Sequence, residues 1–217
     1  KTSRSFPGPS LKKIYGKNYI SSEYYGEGIK SGDIINGTLN EDMRNTSFAS
    51  NFFDFIISSD DLEHFPNPEK AFAEIFRILK PGGQFIFTVP FIEGMEKNDI
   101  RARLLSNGSI EHLQKPQYHG DPVRPDSGIL VFTIFGEALR KMLNKAGLEF
   151  NKYKYTSALK GIVNLQPIIF IAQKSYDEKM SLANAKTTNL KNNIPKSNIP
   201  NQLKPLVGEF AWHSLTI

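Results

Sequence analysis

The sequence predicts an α/β fold: a Rossmann-like, doubly wound and mostly parallel sheet. Three observations carry that expectation. Residues 53–57 and 84–89 are short apolar runs rich in aromatic and β-branched side chains, the mark of strands buried on both faces. Between them Phe72, Ile75, Phe76 and Leu79 fall at i, i+3, i+4 and i+7, one apolar helical face. Ser58, Ser59, Asp60 and Asp61 close the first run, and Lys80-Pro81-Gly82-Gly83 separates the helix from the second. Strand, helix and strand in that order make a right-handed parallel βαβ unit.

Each element has a local cause. Asn67 offers an N-cap oxygen, and Pro68 takes the first helical position, where its missing N–H is not needed. Upstream, residues 1–9 read as a loop and 10–15 as a short helix. Residues 18–22 read as a strand, and 33–38 as another, with Gly26, Gly28 and Gly32 marking an irregular connection between them. Residues 92–127 break the rhythm with mixed charge, Asn107-Gly108 and several prolines, and exceed an ordinary connection in length. The segment 91–130 is therefore expected to be a lid or substrate insertion. Residues 135–146 read as a helix capped by Gly147, and 149–156 and 168–173 as two final strands. The α/β domain is expected to end near residue 175. Beyond it, Asn, Lys, Ser and Pro dominate, so 176–217 reads as a flexible tail or linker.

The totals narrow the function classes. A chain of 217 residues buries a full core without staples. It has no cysteine, which excludes disulfides and thiolate metal sites and accords with a cytoplasmic place. No apolar run reaches the roughly 20 residues that span a bilayer. The net charge is +5, but six lysines against three acidic residues from Lys174 onward account for more than half of it. No dense Lys/Arg stripe with interleaved aromatics appears, so a nucleic-acid partner is not expected.

The string D-x-I-I-S-S-D-x-L-E-H, the amphipathic helix, and then L-K-P-G-G-x-F-I-F-T-V-P resemble the middle of a class I S-adenosylmethionine-dependent methyltransferase, of the type 11-like kind. The resemblance covers nearly forty residues without a gap. It implies a methyl transfer from S-adenosylmethionine to an oxygen or nitrogen of a small molecule or glycan. The family's first strand and glycine-rich turn have no counterpart here, since residues 1–9 hold only Gly8. The domain is therefore expected to be N-terminally truncated, with Ser3, Arg4 and Ser5 near the cofactor's carboxylate.

An acidic side chain at the end of the second strand is the natural acceptor for ribose hydroxyls, and Glu23 stands there. The resemblance gives it that role, assigns Asp42 to the adenine amino group with Met43 packing beside the ring, and places Ser58, Ser59, Asp60 and Leu62 at the methionine end. Methyl transfer mainly needs the acceptor aligned with an already activated sulfonium. A general base serves only an acceptor that arrives protonated. His64, Tyr118, His119 and Asp121 are the candidates. His112 and His119 match no zinc spacing, so no metal site is expected. Two other readings stay open: a non-catalytic module that keeps the fold as a scaffold, and an NAD-dependent oxidoreductase, for which the chain lacks any G-x-G-x-x-G.

Overall fold

The structure, a computed structural model, describes residues 8–120, 128–154 and 168–176. Ser3, Arg4, Ser5, Asp121 and the segment 177–217 lie outside the described residues. In chain order, helix α1 (Gly8–Tyr15) leads into β1 (Ser22–Glu23), β2 (Ile34–Ile35) and β3 (Thr38–Asn40). The core unit follows as β4 (Phe53–Ser59), α2 (Pro68–Ile78) and β5 (Leu79–Thr88). Then come β6 (Asp99–Ile100), β7 (Ala102–Leu104), β8 (Ile110–His112), β9 (Tyr118–His119), β10 (Ile129–Leu130) and β11 (Thr133–Ile134). Helix α3 (Ala138–Lys145) and strands β12 (Leu148–Lys154) and β13 (Ile168–Lys174) complete the described fold.

The βαβ unit forms as its sequence predicts: β4 and β5 run parallel, with Ser58 opposite Phe87 and Ser59 opposite Thr88. Pro68 is the first residue of α2, although the Asn67 side chain makes no capping bond. The helix stops at Ile78, and Lys80-Pro81-Gly82-Gly83 bulges inside β5, where the register jumps from Phe53 opposite Leu79 to Phe55 opposite Gln84. Glycine is required at 83, because a Cβ there would lie 2.9 Å from the Lys80 carbonyl oxygen and 3.1 Å from that of Phe53.

The main sheet has the order β12-β13-β5-β4. Among the described residues this sheet is mixed, not mostly parallel: β5 with β13 and β13 with β12 are antiparallel. Parallel neighbours need a crossover, which α2 supplies only between β4 and β5. Side chains alternate along each strand, so the sheet buries both faces. Phe85, Phe87, Phe170, Ala172, Leu148 and Phe150 pack on one face with Phe72 and Ile75 of α2 and Leu139 and Leu143 of α3. Ile86, Ile169 and Ile171 pack on the other with Leu11 of α1. Helices on both faces are the doubly wound arrangement, and the α/β expectation holds.

The N-terminal strands depart from expectation in detail. Residues 16–18 form a short 3-10 turn, and the strand is confined to Ser22 and Glu23. The segment expected as one strand at 33–38 is a hairpin: β2 and β3 are antiparallel, turned by Asn36 and Gly37 with φ of 49° and 78°. Two consecutive positive φ values at Asn-Gly are the preferred two-residue hairpin turn. Strand β1 runs parallel to β3, with Glu23 opposite Asn40. Among the described residues, the expected insertion holds two small antiparallel pairs, β7 with β8 and β9 with β10, and its β6 pairs antiparallel with β11 just beyond residue 130.

Candidate active site

The C-terminal ends of β1, β3 and β4 deliver the sequence-predicted polar residues, and one cation draws their loops together. Arg44, which the sequence reading passed over, grips the Asp42 carboxylate at 2.8–3.1 Å through Nε and a terminal nitrogen. Its guanidinium lies 5.8 Å from the centre of the Tyr24 ring and 5.7 Å from that of Phe65. Tyr24 follows Glu23, and Phe65 ends the loop after β4, so three loops meet at Arg44. Asp42 Oδ1 also accepts the Arg44 backbone N–H at 2.9 Å, a local turn bond of the kind aspartate favours.

Glu23 is half-buried, and its carbonyl accepts the Glu41 N–H. Asn40 is buried and holds the facing loops, accepting the Tyr25 N–H and donating to the Ile29 and Lys30 carbonyls. Glu41 is also buried, but its carboxylate accepts from the Ser47 N–H and hydroxyl, a purely local use. Met43 packs against the main core. Asp42 lines a cavity of about 380 Å³ with Ile29, Lys30, Ser31, Asn45, Thr46 and Ser47. Glu23, Ser58 and Ser59 are not among its lining residues.

After β4 the chain turns sharply: Asp60 has φ of 52°, a conformation aspartate tolerates better than most residues. The turn is locked by polar contacts. The Ser58 hydroxyl donates to Asp61 at 2.6 Å, the Ser59 hydroxyl lies 3.1 Å from both Asp60 and Thr88, and the Thr88 hydroxyl donates to Asp60 at 3.2 Å. Thr88 is a second residue the sequence reading missed; it arrives at the turn because β5 runs beside β4. Leu62 is fully buried in the core and anchors the loop.

Glu63, His64 and His119 form a second constellation beside this turn. His64 Nδ1 lies 2.8 Å from the Leu130 carbonyl oxygen, so that nitrogen carries the hydrogen. Its Nε2 then faces Glu63 Oε1 at 3.7 Å, and His119 Nδ1 faces the same oxygen at 3.3 Å. Neither Glu63 oxygen makes a hydrogen bond, although the side chain is fully buried. Burial pushes the Glu63 carboxyl up to about 7 and lowers His64 from its ordinary value. His119 remains partly exposed, at 31% of its side chain. Tyr118 is exposed on β9, and His112 is exposed on β8, outside this group.

Residues 17–87 match the family model described as a methyltransferase domain. Phosphoethanolamine N-methyltransferase 2 of Caenorhabditis elegans is 43% identical over 42 residues, which cover 19% of this chain and 10% of that protein. The ubiquinone/menaquinone biosynthesis C-methyltransferase UbiE of Hydrogenovibrio crunogenus is 30% identical over 136 residues, covering 55% of this chain and 46% of that protein. The chain thus spans less than half the length of these curated relatives. A solved S-adenosylmethionine-dependent methyltransferase from Mesorhizobium loti superposes with a TM-score of 0.40 at 13% identity, over 64% of this chain and 70% of that one. Residues 17–87, which run from the loops before the βαβ unit to near the end of β5, thus resemble a methyltransferase domain.

Proposed function

We propose that the chain transfers a methyl group from S-adenosylmethionine to an oxygen or nitrogen of a small molecule or glycan. The observation that carries this reading is the meeting of three loops at Arg44, within the matched segment. Ligands of open α/β sheets gather at the carboxyl ends of strands, and the side chains there suit the cofactor. The Glu23 carboxylate, at the end of β1, is assigned to the two ribose hydroxyls. Asp42, just after β3, is assigned as the acceptor for an adenine amino group, with Met43 beside the ring. Ser58, Ser59, Asp60 and Leu62 form the rigid turn that the methionine end would meet, and Ser3, Arg4 and Ser5 are assigned to its carboxylate.

The bound cofactor supplies a sulfonium methyl group that needs no further activation. The protein's part is then alignment and exclusion of water. The acceptor enters from the side of β9, past the exposed Tyr118 and the half-exposed His119, with Asp121 following them in the chain. Its proton is lost beside His64, His119 and Glu63, whose carboxyl burial pushes up to about 7.

Calorimetric titration of the full chain with S-adenosylhomocysteine tests the cofactor assignment. Saturable heat is expected, and Glu23→Ala should weaken binding by about ten-fold, the equivalent of roughly 1.4 kcal/mol for lost charge-assisted hydrogen bonds. No heat from the unaltered chain at high ligand concentration would sink the assignment.

A further inference from the structure

We infer that Glu63, His64 and His119 form a binding site for one divalent transition-metal cation of the zinc class. The inference rests on side-chain geometry alone and stands whether or not the chain transfers methyl groups. One ligand atom from each of the three side chains lies within 4.8 Å of the other two. Two imidazoles and a carboxylate are a set that zinc takes with a fourth position left open.

Three features raise this above a chance cluster. Glu63 is fully buried, yet neither carboxylate oxygen has a hydrogen-bond partner. Buried polar groups are otherwise nearly always hydrogen-bonded, and the groups that face this carboxylate are the two imidazoles, at 3.3 and 3.7 Å. His64 is oriented from behind: with Nδ1–H donated to the Leu130 carbonyl at 2.8 Å, the Nε2 lone pair is directed at Glu63. That backing is how metal-ligating histidines are usually held. The two rings stand nearly perpendicular, at 88° with centroids 5.2 Å apart, so they face the carboxylate from two directions instead of stacking on each other.

The fit requires little motion. Ligands at about 2.0–2.2 Å from a tetrahedral zinc stand roughly 3.4 Å apart. The Glu63 oxygen is already 3.3 Å from His119 and 3.7 Å from His64. The third separation, between the histidines, is no more than 4.8 Å, and the partly exposed His119 side chain leaves an entry path. A bound cation would tie β9 to the loop after β4, two segments more than fifty positions apart in the chain. Under the proposed function, the open position would face the acceptor.

Chelator-stripped full-length chain should take up one Zn²⁺ in equilibrium dialysis, and the Co²⁺-loaded form should show visible ligand-field absorption. Glu63→Gln and His119→Ala should each weaken Zn²⁺ binding by more than about ten-fold and abolish the cobalt spectrum. His112→Ala with His213→Ala, which removes the other histidines, should leave both readouts unchanged. Far-UV circular dichroism checks that each variant folds. Absence of uptake by the unaltered chain, or equal affinity in the folded His119→Ala variant, would overturn the inference.

Discussion

Lys174 is a charge that stays in the interior because a helix end needs it. Only 3% exposed, its ammonium donates to the carbonyls of Phe76 and Leu79 at 2.9 and 3.0 Å and to Asn51 Oδ1 at 2.7 Å. Phe76 lies in the last turn of α2 and Leu79 directly follows the helix, where cations offset the helix dipole and satisfy orphan acceptors. The ammonium also sits 4.4 Å from the centre of the Phe76 ring. Lys174→Met keeps the side-chain volume and strands three acceptors. Its expected cost is about 2–4 kcal/mol, read from the urea midpoint; a change below about 0.5 kcal/mol would show that water replaces the ammonium at no loss. No local pattern singles out Lys174 among the many surface lysines, since its partners lie about a hundred positions away. The same limit hid Arg44, whose ring contacts come from Tyr24 and Phe65. It also hid the grouping of His119 with Glu63, which pairs one loop with another.

At the scale of elements, local chemistry explains most of what forms. The i, i+3, i+4, i+7 face of α2 is buried as its spacing requires, with Phe72, Ile75 and Leu79 at 0–1% exposure. Helix α3 begins at Ala138, later than the apolar pattern suggests, and Gly147 ends it with φ of 85°. A Cβ at 147 would stand 2.8 Å from Phe76 Cε2, so both backbone and packing ask for glycine. Gly147→Ala should cost about 1–3 kcal/mol, visible as a lower thermal midpoint with an unchanged far-UV spectrum. A neutral result would mean that the αL turn and the Phe76 ring both adjust freely. Two details are legible in the sequence at finer grain than the expected elements: Asn36-Gly37 is a two-residue hairpin signal, and at Lys80-Pro81-Gly82-Gly83 the strand continues as a bulge.

Across the whole molecule, α2 joins the main sheet to the small one. Its Glu74 accepts the Thr46 N–H at 2.8 Å and the Thr46 hydroxyl at 2.6 Å, and Arg77 binds the same carboxylate while donating to the Phe48 carbonyl. Burial by itself would raise the Glu74 carboxyl, but the hydrogen bonds from Arg77 and Thr46 outweigh it and hold the group below its ordinary value. A carboxylate with a depressed folded-state pKa stabilises the fold above its unfolded value, near 4.5. That contribution fades as pH falls through the folded value. Glu74→Gln should therefore be less stable than the unaltered chain at pH 7, with the gap narrowing steadily in acid below about pH 4.5. Denaturant titrations across that range test it, and a gap independent of pH would place the effect in packing rather than charge.

Alternation, helical spacing and turn residues act over a few positions, so the sequence by itself determined the βαβ unit, the α3 helix, the final two strands and the resemblance of segment 17–87 to a methyltransferase domain. Strand direction and side-chain company depend on which distant segments the chain brings together. Only the tertiary structure therefore decided that β13 lies antiparallel between β5 and β12, that Arg44 gathers three loops, and that His119 meets the buried carboxylate of Glu63. The physical reason is one of range: propensity and periodicity are properties of neighbours in the chain, whereas a binding site is a property of neighbours in space.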